Sequence, residues 1–132
     1  APVKWLENLT VTGTSGSGHG VVMDGNRDTG FGPSPMEMLL LGLAGCSSID
    51  VVHILQKGRE KIIDVQADVK AERAETDPKV FTKIHLHFKA KGENLNEAKL
   101  ARAVELSAEK YCSASIMLSK AAEITHSWEI ME

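Results

Sequence analysis

The 132-residue sequence has only two cysteines, Cys46 and Cys112, and they lie 66 positions apart. Neither belongs to a CxxC motif or to a paired Cys/His spacing, which argues against a structural zinc site. In a reducing cytosol a permanent disulfide is not expected either. Two interpretations remain open: a pair of buried structural thiols, which composition alone favours, and one reactive redox pair.

The sequence also lacks a long hydrophobic run and a block of like charges. Gly45, Ser47, Ser48 and Asp50 interrupt the only apolar stretch that approaches the ~18 residues needed to span a bilayer. The amino end has no basic region followed by an apolar one, so no signal peptide is expected. The 15 basic and 18 acidic residues give a formal charge of −3 without clustering, which argues against nucleic-acid binding. We expect a cytoplasmic protein whose partners are small molecules or copies of itself.

The length predicts a single domain covering residues 1–132. Alternation predicts a first strand over 3–12 and a second over 19–25. The capping residues and the apolar run that follow predict a helix over 33–58. Two long antiparallel strands over 62–73 and 80–92 follow, the first with Ile63 on its apolar side and the second with Phe81 on its wetter side. An amphipathic helix over 95–111, a shorter helix starting near Cys112 and a final strand complete the order ββαββααβ, which is typical of an α+β fold.

The stretch from Pro33 to Gly58 is the most informative part of the chain. Two prolines and a serine open it, and the run from Met36 to Leu43 is apolar on every side. This pattern predicts a central helix that is covered all round, with Cys46 in a dry and closely packed place.

Three chemically active side chains share one stripe of that helix, because Cys46, Asp50 and His53 are spaced i, i+4, i+7. They could form a nucleophile with its base or part of a metal site. The interpretation that we favour places Asp50 and His53 where the helix reaches solvent. His85 and His87 pose the same choice on a strand, and a solvated polar face is favoured there over metal binding.

Cys112 is the better single clue to chemistry. At the start of a helix its thiolate is stabilised, which predicts a lowered pKa. Cys46 could then attack an oxidant to give a sulfenic acid, and Cys112 could condense with it to a disulfide. The small residues around Cys46 predict an apolar pocket, which suits an apolar peroxide better than hydrogen peroxide.

The segments PSPMEMLLLGLAGCSSIDV and YCSASIML, with the order ββαββααβ, resemble the OsmC/Ohr family and in particular its YhfA-like branch. The resemblance covers essentially the whole chain. It implies an intertwined homodimer in which the two Cys-bearing helices are buried between antiparallel sheets, with active sites at the dimer interface. It also implies a peroxidase of organic hydroperoxides in which Cys46 is the peroxidatic thiolate and Cys112 the resolving one. The reductant implied is a dithiol such as a lipoylated protein, with no cofactor and no metal.

Two departures from the family pattern concern the groups that would tune Cys46. The family acid directly follows the proline, whereas Met36 stands there and Glu37 comes one position later, a rotation of about 100° along a helix. The family arginine comes from the amino-terminal strands, whereas the first arginine here is Arg27 in a loop. Glu37, Asp50 and Arg27 are therefore candidate auxiliary residues. The alternative hypothesis is a non-catalytic dimeric module that binds an apolar small molecule at the dimer interface.

Overall fold

The computed structural model describes all 132 residues, which form two compact units, Ala1–Leu41 and Gly42–Glu132. The first unit contains an antiparallel sheet in the order β1-β2-β3, formed by Val3–Glu7, Thr10–Thr14 and Gly20–Asp24. The single strand predicted over 3–12 is therefore two strands. Asn8, with φ of 47°, reverses the chain between them, and asparagine tolerates this left-handed conformation well.

The loop after β3 is organised by Asp24, which is buried. Its carboxylate accepts hydrogen bonds from the Thr10 hydroxyl and from the backbone amides of Asn26 and Phe31. These bonds, that of Thr10 first, hold the pKa of Asp24 below its usual value. A side chain at Gly30 would overlap the carbonyl oxygen of Asn26, so the loop requires glycine there.

The long helix α1 runs from Pro35 to Lys57. Ser34 and Glu37 form a capping box at its start: the Ser34 hydroxyl accepts from the Glu37 amide at 3.1 Å, and the Glu37 carboxylate accepts from the Ser34 amide at 2.9 Å. The helix predicted over 33–58 is thus confirmed.

The prediction that α1 is covered all round is wrong for the single chain. One side is buried, through Leu43, Ala44, Ser47, Val51 and Leu55, but Ile49 on the other side is 71% exposed. By length and composition α1 is also apolar enough to cross a membrane, although the sequence argued against a span. The core helix of a soluble protein meets the same two criteria.

The second unit contains a mixed sheet in the order β4-β5-β6, formed by Lys61–Arg73, Phe81–Glu93 and Glu123–Ile130. β4 and β5 pair antiparallel as predicted, but β6 runs parallel to β5. The antiparallel sheet expected from the family resemblance is therefore only partly antiparallel. The helices between β5 and β6 carry the chain back along the sheet, which is what a parallel neighbour requires.

Two irregularities in the β4–β5 pairing change which side chains enter the core. The register shifts between Ile62 and Asp64 and again between Glu72 and Arg73. Ile63 is consequently 67% exposed, whereas Phe81 is buried, the reverse of both predictions. Simple alternation fails at a bulge because the extra residue rotates the following side chain to the other face. Of the other positions predicted on the core-facing side, Val80 and Thr82 are exposed, and four are buried as predicted: Ile84, Leu86, Phe88 and Ala90.

The connection between β5 and β6 is helical throughout most of its length. Helix α2 spans Glu97–Leu106, with the Asn96 side chain accepting from the Lys99 amide as its cap, and a π-helix spans Ser107–Tyr111. Helix α3 spans Ser113–Leu118 after Cys112. The sequence predicted one regular helix over 95–111. The structure differs at the end of this segment, where the last turn is the wider π-helix.

Candidate functional site

Helix α1 supplies two members of the candidate site from the same side of the helix. Cys46 and Asp50 are four residues apart, so they lie one turn above each other. Both are half-buried at the margin of the buried stripe that contains Ser47 and Val51. Cys46 as a residue is therefore partly exposed, in contrast to the dry, closely packed position predicted for it.

The third member, Cys112, comes from the junction between the π-helix and α3. Its side chain is completely buried, and its backbone is extended with φ of −79° and ψ of 102°. As the N-cap of α3, its sulfur accepts a hydrogen bond from the Ser115 amide at 3.3 Å. The Ser47 hydroxyl of α1 donates to the same sulfur at 3.4 Å. Two donors from different helices thus fix the position of this sulfur.

Packing brings these three side chains together. The two sulfurs and a carboxylate oxygen of Asp50 all lie within 4.8 Å of one another, and both cysteines are free thiols. Sequence spacing placed Cys46 and Asp50 on one stripe, but the interpretation favoured there, with Asp50 directed to solvent, is wrong, because Asp50 is half-buried and bonded to Ser107. The spacing did not place Cys112 with them, and it grouped His53 there instead, which is not part of the cluster.

Asp50 is held by Ser107, the first residue of the π-helix. The buried Ser107 hydroxyl donates to Asp50 Oδ2 at 3.1 Å. A π-helical turn inserts an extra residue into a helix and often occurs at functional sites. Here it separates the serine that orients Asp50 from the cysteine that completes the cluster.

The electrostatic state of Cys112 differs from the prediction. Burial raises the pKa of the Cys112 thiol, and a hydrogen bond with Cys46 raises it further. The donors Ser47 and Ser115 act in the opposite direction but do not compensate. The expected lowering at a helix start is wrong because α3 has only six residues and the sulfur is completely removed from solvent.

Comparison with known proteins identifies the family. The family described as OsmC-like protein matches residues 25–127 of the chain. The sequence is 54% identical over 131 residues to protein YhfA of Escherichia coli K12, covering 99% of this chain and 97% of YhfA. The chain belongs to the OsmC family. The resemblance drawn from the cysteine segments is thereby confirmed.

Solved structures support the α+β fold of this OsmC-family chain. A hypothetical protein from Aquifex aeolicus VF5 is similar to it with a TM-score of 0.88 and 32% identity, over 98% of this chain and 93% of that one. The organic hydroperoxide resistance protein OhrB of Bacillus subtilis has a TM-score of 0.65 and 17% identity, over 97% of this chain and 96% of that one. The second comparison concerns the fold alone.

A pocket of about 430 Å³ opens beside the cluster of this OsmC-family chain. Asp50, a member of the cluster, forms part of its wall. The rest of its wall combines apolar and aromatic side chains with two basic ones: Ile54, Leu106, Tyr111, His53 and Lys57. An apolar molecule with one polar end fits such a wall.

The two auxiliary residues predicted at the amino-terminal side form a pair with each other. Arg27 lies 3.8 Å from the Glu37 carboxylate, and both side chains are largely exposed. Glu37 is also engaged in the capping box with Ser34, and these hydrogen bonds hold its pKa below the usual value. The observed contacts of Glu37 are thus those of a helix cap.

The three histidines considered in the sequence analysis lie on polar surface. His53 is exposed. His85 and His87 share the Ser127 hydroxyl at 2.8 and 2.6 Å, and His87 also contacts Glu129 at 3.1 Å. These bonds follow the polar face of β5 and β6, in agreement with the interpretation favoured from the sequence.

Sequence reasoning missed the serines that position the cluster. Ser47, Ser107 and Ser115 are each at most 2% exposed, and each donates through its hydroxyl or amide to a member of the cluster. Ser47 and Ser115 adjoin the cysteine segments, so a search for hydrogen-bond partners there would have found two of them. No local signal marks Ser107.

Proposed function

We propose that the chain is a thiol-dependent peroxidase that reduces organic hydroperoxides through Cys46 and Cys112. The observation that carries the proposal is the proximity of two free thiols, within 4.8 Å, of which one belongs to a partly exposed residue and the other to a buried one. A peroxide must reach the attacking sulfur, whereas the resolving sulfur needs only to reach the first. The structure distributes exposure between the two cysteines in that way.

The first step is attack of the Cys46 thiolate on the terminal oxygen of the hydroperoxide. The sulfur–oxygen bond forms, the oxygen–oxygen bond breaks, and the alkoxide leaves as an alcohol after taking a proton. Cys46 becomes a sulfenic acid. The pocket beside Asp50 receives the organic part of the substrate, and its apolar residues favour an organic hydroperoxide over hydrogen peroxide.

The second step joins the two sulfurs. The Cys112 sulfur, deprotonated as it reacts, attacks the Cys46 sulfenic acid, the sulfur–oxygen bond breaks, and the hydroxyl leaves as water. A disulfide is about 2.05 Å long, so sulfurs within 4.8 Å need to approach by less than about 3 Å. An external dithiol, such as a lipoylated protein, then returns both cysteines to thiols by disulfide exchange.

We also propose that the working form is a homodimer formed through α1. The side of α1 that carries Gly42, Gly45 and Ile49 is exposed in the single chain. A side chain added at either glycine would meet nothing within 4 Å. An apolar stripe of small residues on a long helix allows a second backbone to approach closely, and a second copy of this helix is the occupant that the family resemblance implies.

Mass spectrometry of the reduced protein after one equivalent of cumene hydroperoxide tests the reaction. We expect the wild type to lose both free thiols and two hydrogens, and Cys112→Ser to stop at a sulfenic acid that dimedone traps. Cys46→Ser is expected to remain unmodified, because Cys112 is buried. If both wild-type thiols stay free and alkylate slowly, the peroxidase proposal is wrong, and the pocket is a binding site in a non-catalytic module.

A further inference from the structure

The three clustered groups share a property that the peroxidase reaction does not require. In the deprotonated state the two sulfurs and the carboxylate are all anions, and their ligand atoms lie within 4.8 Å of one another. Asp50 forms no salt bridge, and its carboxylate accepts one hydrogen bond, which comes from Ser107. Fully deprotonated, such a group of anions repels itself unless a cation lies among them.

The geometry is close to what a tetrahedral cation needs. With metal–sulfur bonds of about 2.3 Å and metal–oxygen bonds of about 2.0 Å, tetrahedral ligands lie about 3.5–3.8 Å apart. Ligand atoms that are already within 4.8 Å must therefore approach by about 1.3 Å at most.

Neighbouring hydrogen bonds also orient the ligands. Ser107 engages Asp50 Oδ2 and leaves Oδ1 for another partner. Ser47 and Ser115 donate to the Cys112 sulfur, and such bonds favour its thiolate form, the form that binds a metal. Asp50 also lines a pocket that opens to solvent, from which water can supply a fourth ligand.

We propose that Cys46, Asp50 and Cys112 form a binding site for a thiophilic divalent cation of the Zn²⁺ type in the reduced protein. Sulfur ligands select such an ion over Mg²⁺ or Ca²⁺, which prefer oxygen. The site goes beyond the peroxidase function and does not depend on it, since only reduced protein is needed. Because a disulfide removes both thiolates, ion binding and oxidation of the cysteines exclude each other.

The test is a titration of chelator-treated, reduced protein with Co²⁺ under anaerobic conditions, followed by displacement with Zn²⁺. We expect one Co²⁺ per chain, with the charge-transfer absorption that thiolate ligands produce and the intense visible bands of tetrahedral cobalt. Zn²⁺ should abolish both. Neither readout requires peroxidase activity, so a failure of one proposal is distinguishable from a failure of the other.

Four variants locate the ion. Cys46→Ser and Cys112→Ser should each lose most of the charge-transfer absorption, and Asp50→Asn should bind Co²⁺ at least about 10-fold more weakly. Asp64→Asn, an exposed acid on β4, is the matched control and should bind as the wild type does. Circular dichroism establishes that each variant is folded.

Three results would each contradict the proposed metal site. One is the absence of thiolate-to-cobalt absorption in the reduced wild type. Another is binding that persists in the double variant Cys46→Ser/Cys112→Ser, which would assign the ion to surface histidines. The third is an Asp50→Asn variant whose affinity equals that of Asp64→Asn, since the carboxylate would then not be a ligand.

Discussion

Cys112 has a structural role that can be separated from its proposed redox role by comparing two substitutions. Its sulfur accepts from the Ser115 amide at 3.3 Å and from the Ser47 hydroxyl at 3.4 Å. Both serines are at most 2% exposed, so solvent cannot replace a lost partner. Cys112→Ser keeps an acceptor for these donors, whereas Cys112→Ala removes it.

The expected magnitude follows from the two lost contacts. Loss of an N-cap acceptor costs about 1 kcal/mol, and a buried hydroxyl without a partner costs about 1–3 kcal/mol. We therefore expect the free energy of unfolding of Cys112→Ala to lie about 2–4 kcal/mol below that of Cys112→Ser. For a chain of this size, that difference corresponds to roughly 7–14 °C in Tm.

Urea denaturation followed by circular dichroism measures the difference, with reductant present and all proteins at one concentration, because a dimer would make stability concentration-dependent. Ser113→Ala, an exposed position in the first turn of α3, is the matched control and should change the unfolding free energy by less than about 0.5 kcal/mol. If Cys112→Ala and Cys112→Ser unfold within about 0.5 kcal/mol of each other, the capping argument is refuted.

Two further predictions concern thiol reactivity and assembly. Because burial raises the pKa of Cys112, iodoacetamide should modify Cys46→Ser slowly at neutral pH and faster only at a pH above the range in which an ordinary thiol ionises. The same variant unfolded in urea is the control. If the modification rate of the native variant levels off at a lower pH than the rate of the unfolded variant, the prediction is contradicted. Gly45→Leu has open space in the single chain, so it should stay folded by circular dichroism but shift the mass measured by light scattering from dimer to monomer. Lys91→Leu, exposed on β5, should leave that mass unchanged, and equal masses for both variants would place the dimer contact elsewhere.

The local elements could be read from the sequence because their signals are local. The capping box of Ser34 and Glu37 and the apolar run after it determine where α1 begins. Alternation identified β4 and β5, because a strand's side chains point to opposite faces in turn. The two cysteine segments were specific enough to indicate the OsmC family, which the 54% identity to YhfA confirms.

Only the tertiary structure decided which distant groups meet. The burial of Phe81, the exposure of Ile63 and the parallel pairing of β6 depend on strand register, which alternation alone does not encode at a bulge.

The same holds for the site. Local spacing grouped Cys46 with Asp50, but the approach of Cys112 depends on how α1 packs against the junction of the π-helix and α3. Its raised pKa has the same origin, because the loss of solvent around a thiol is set by packing and outweighs the end of a short helix.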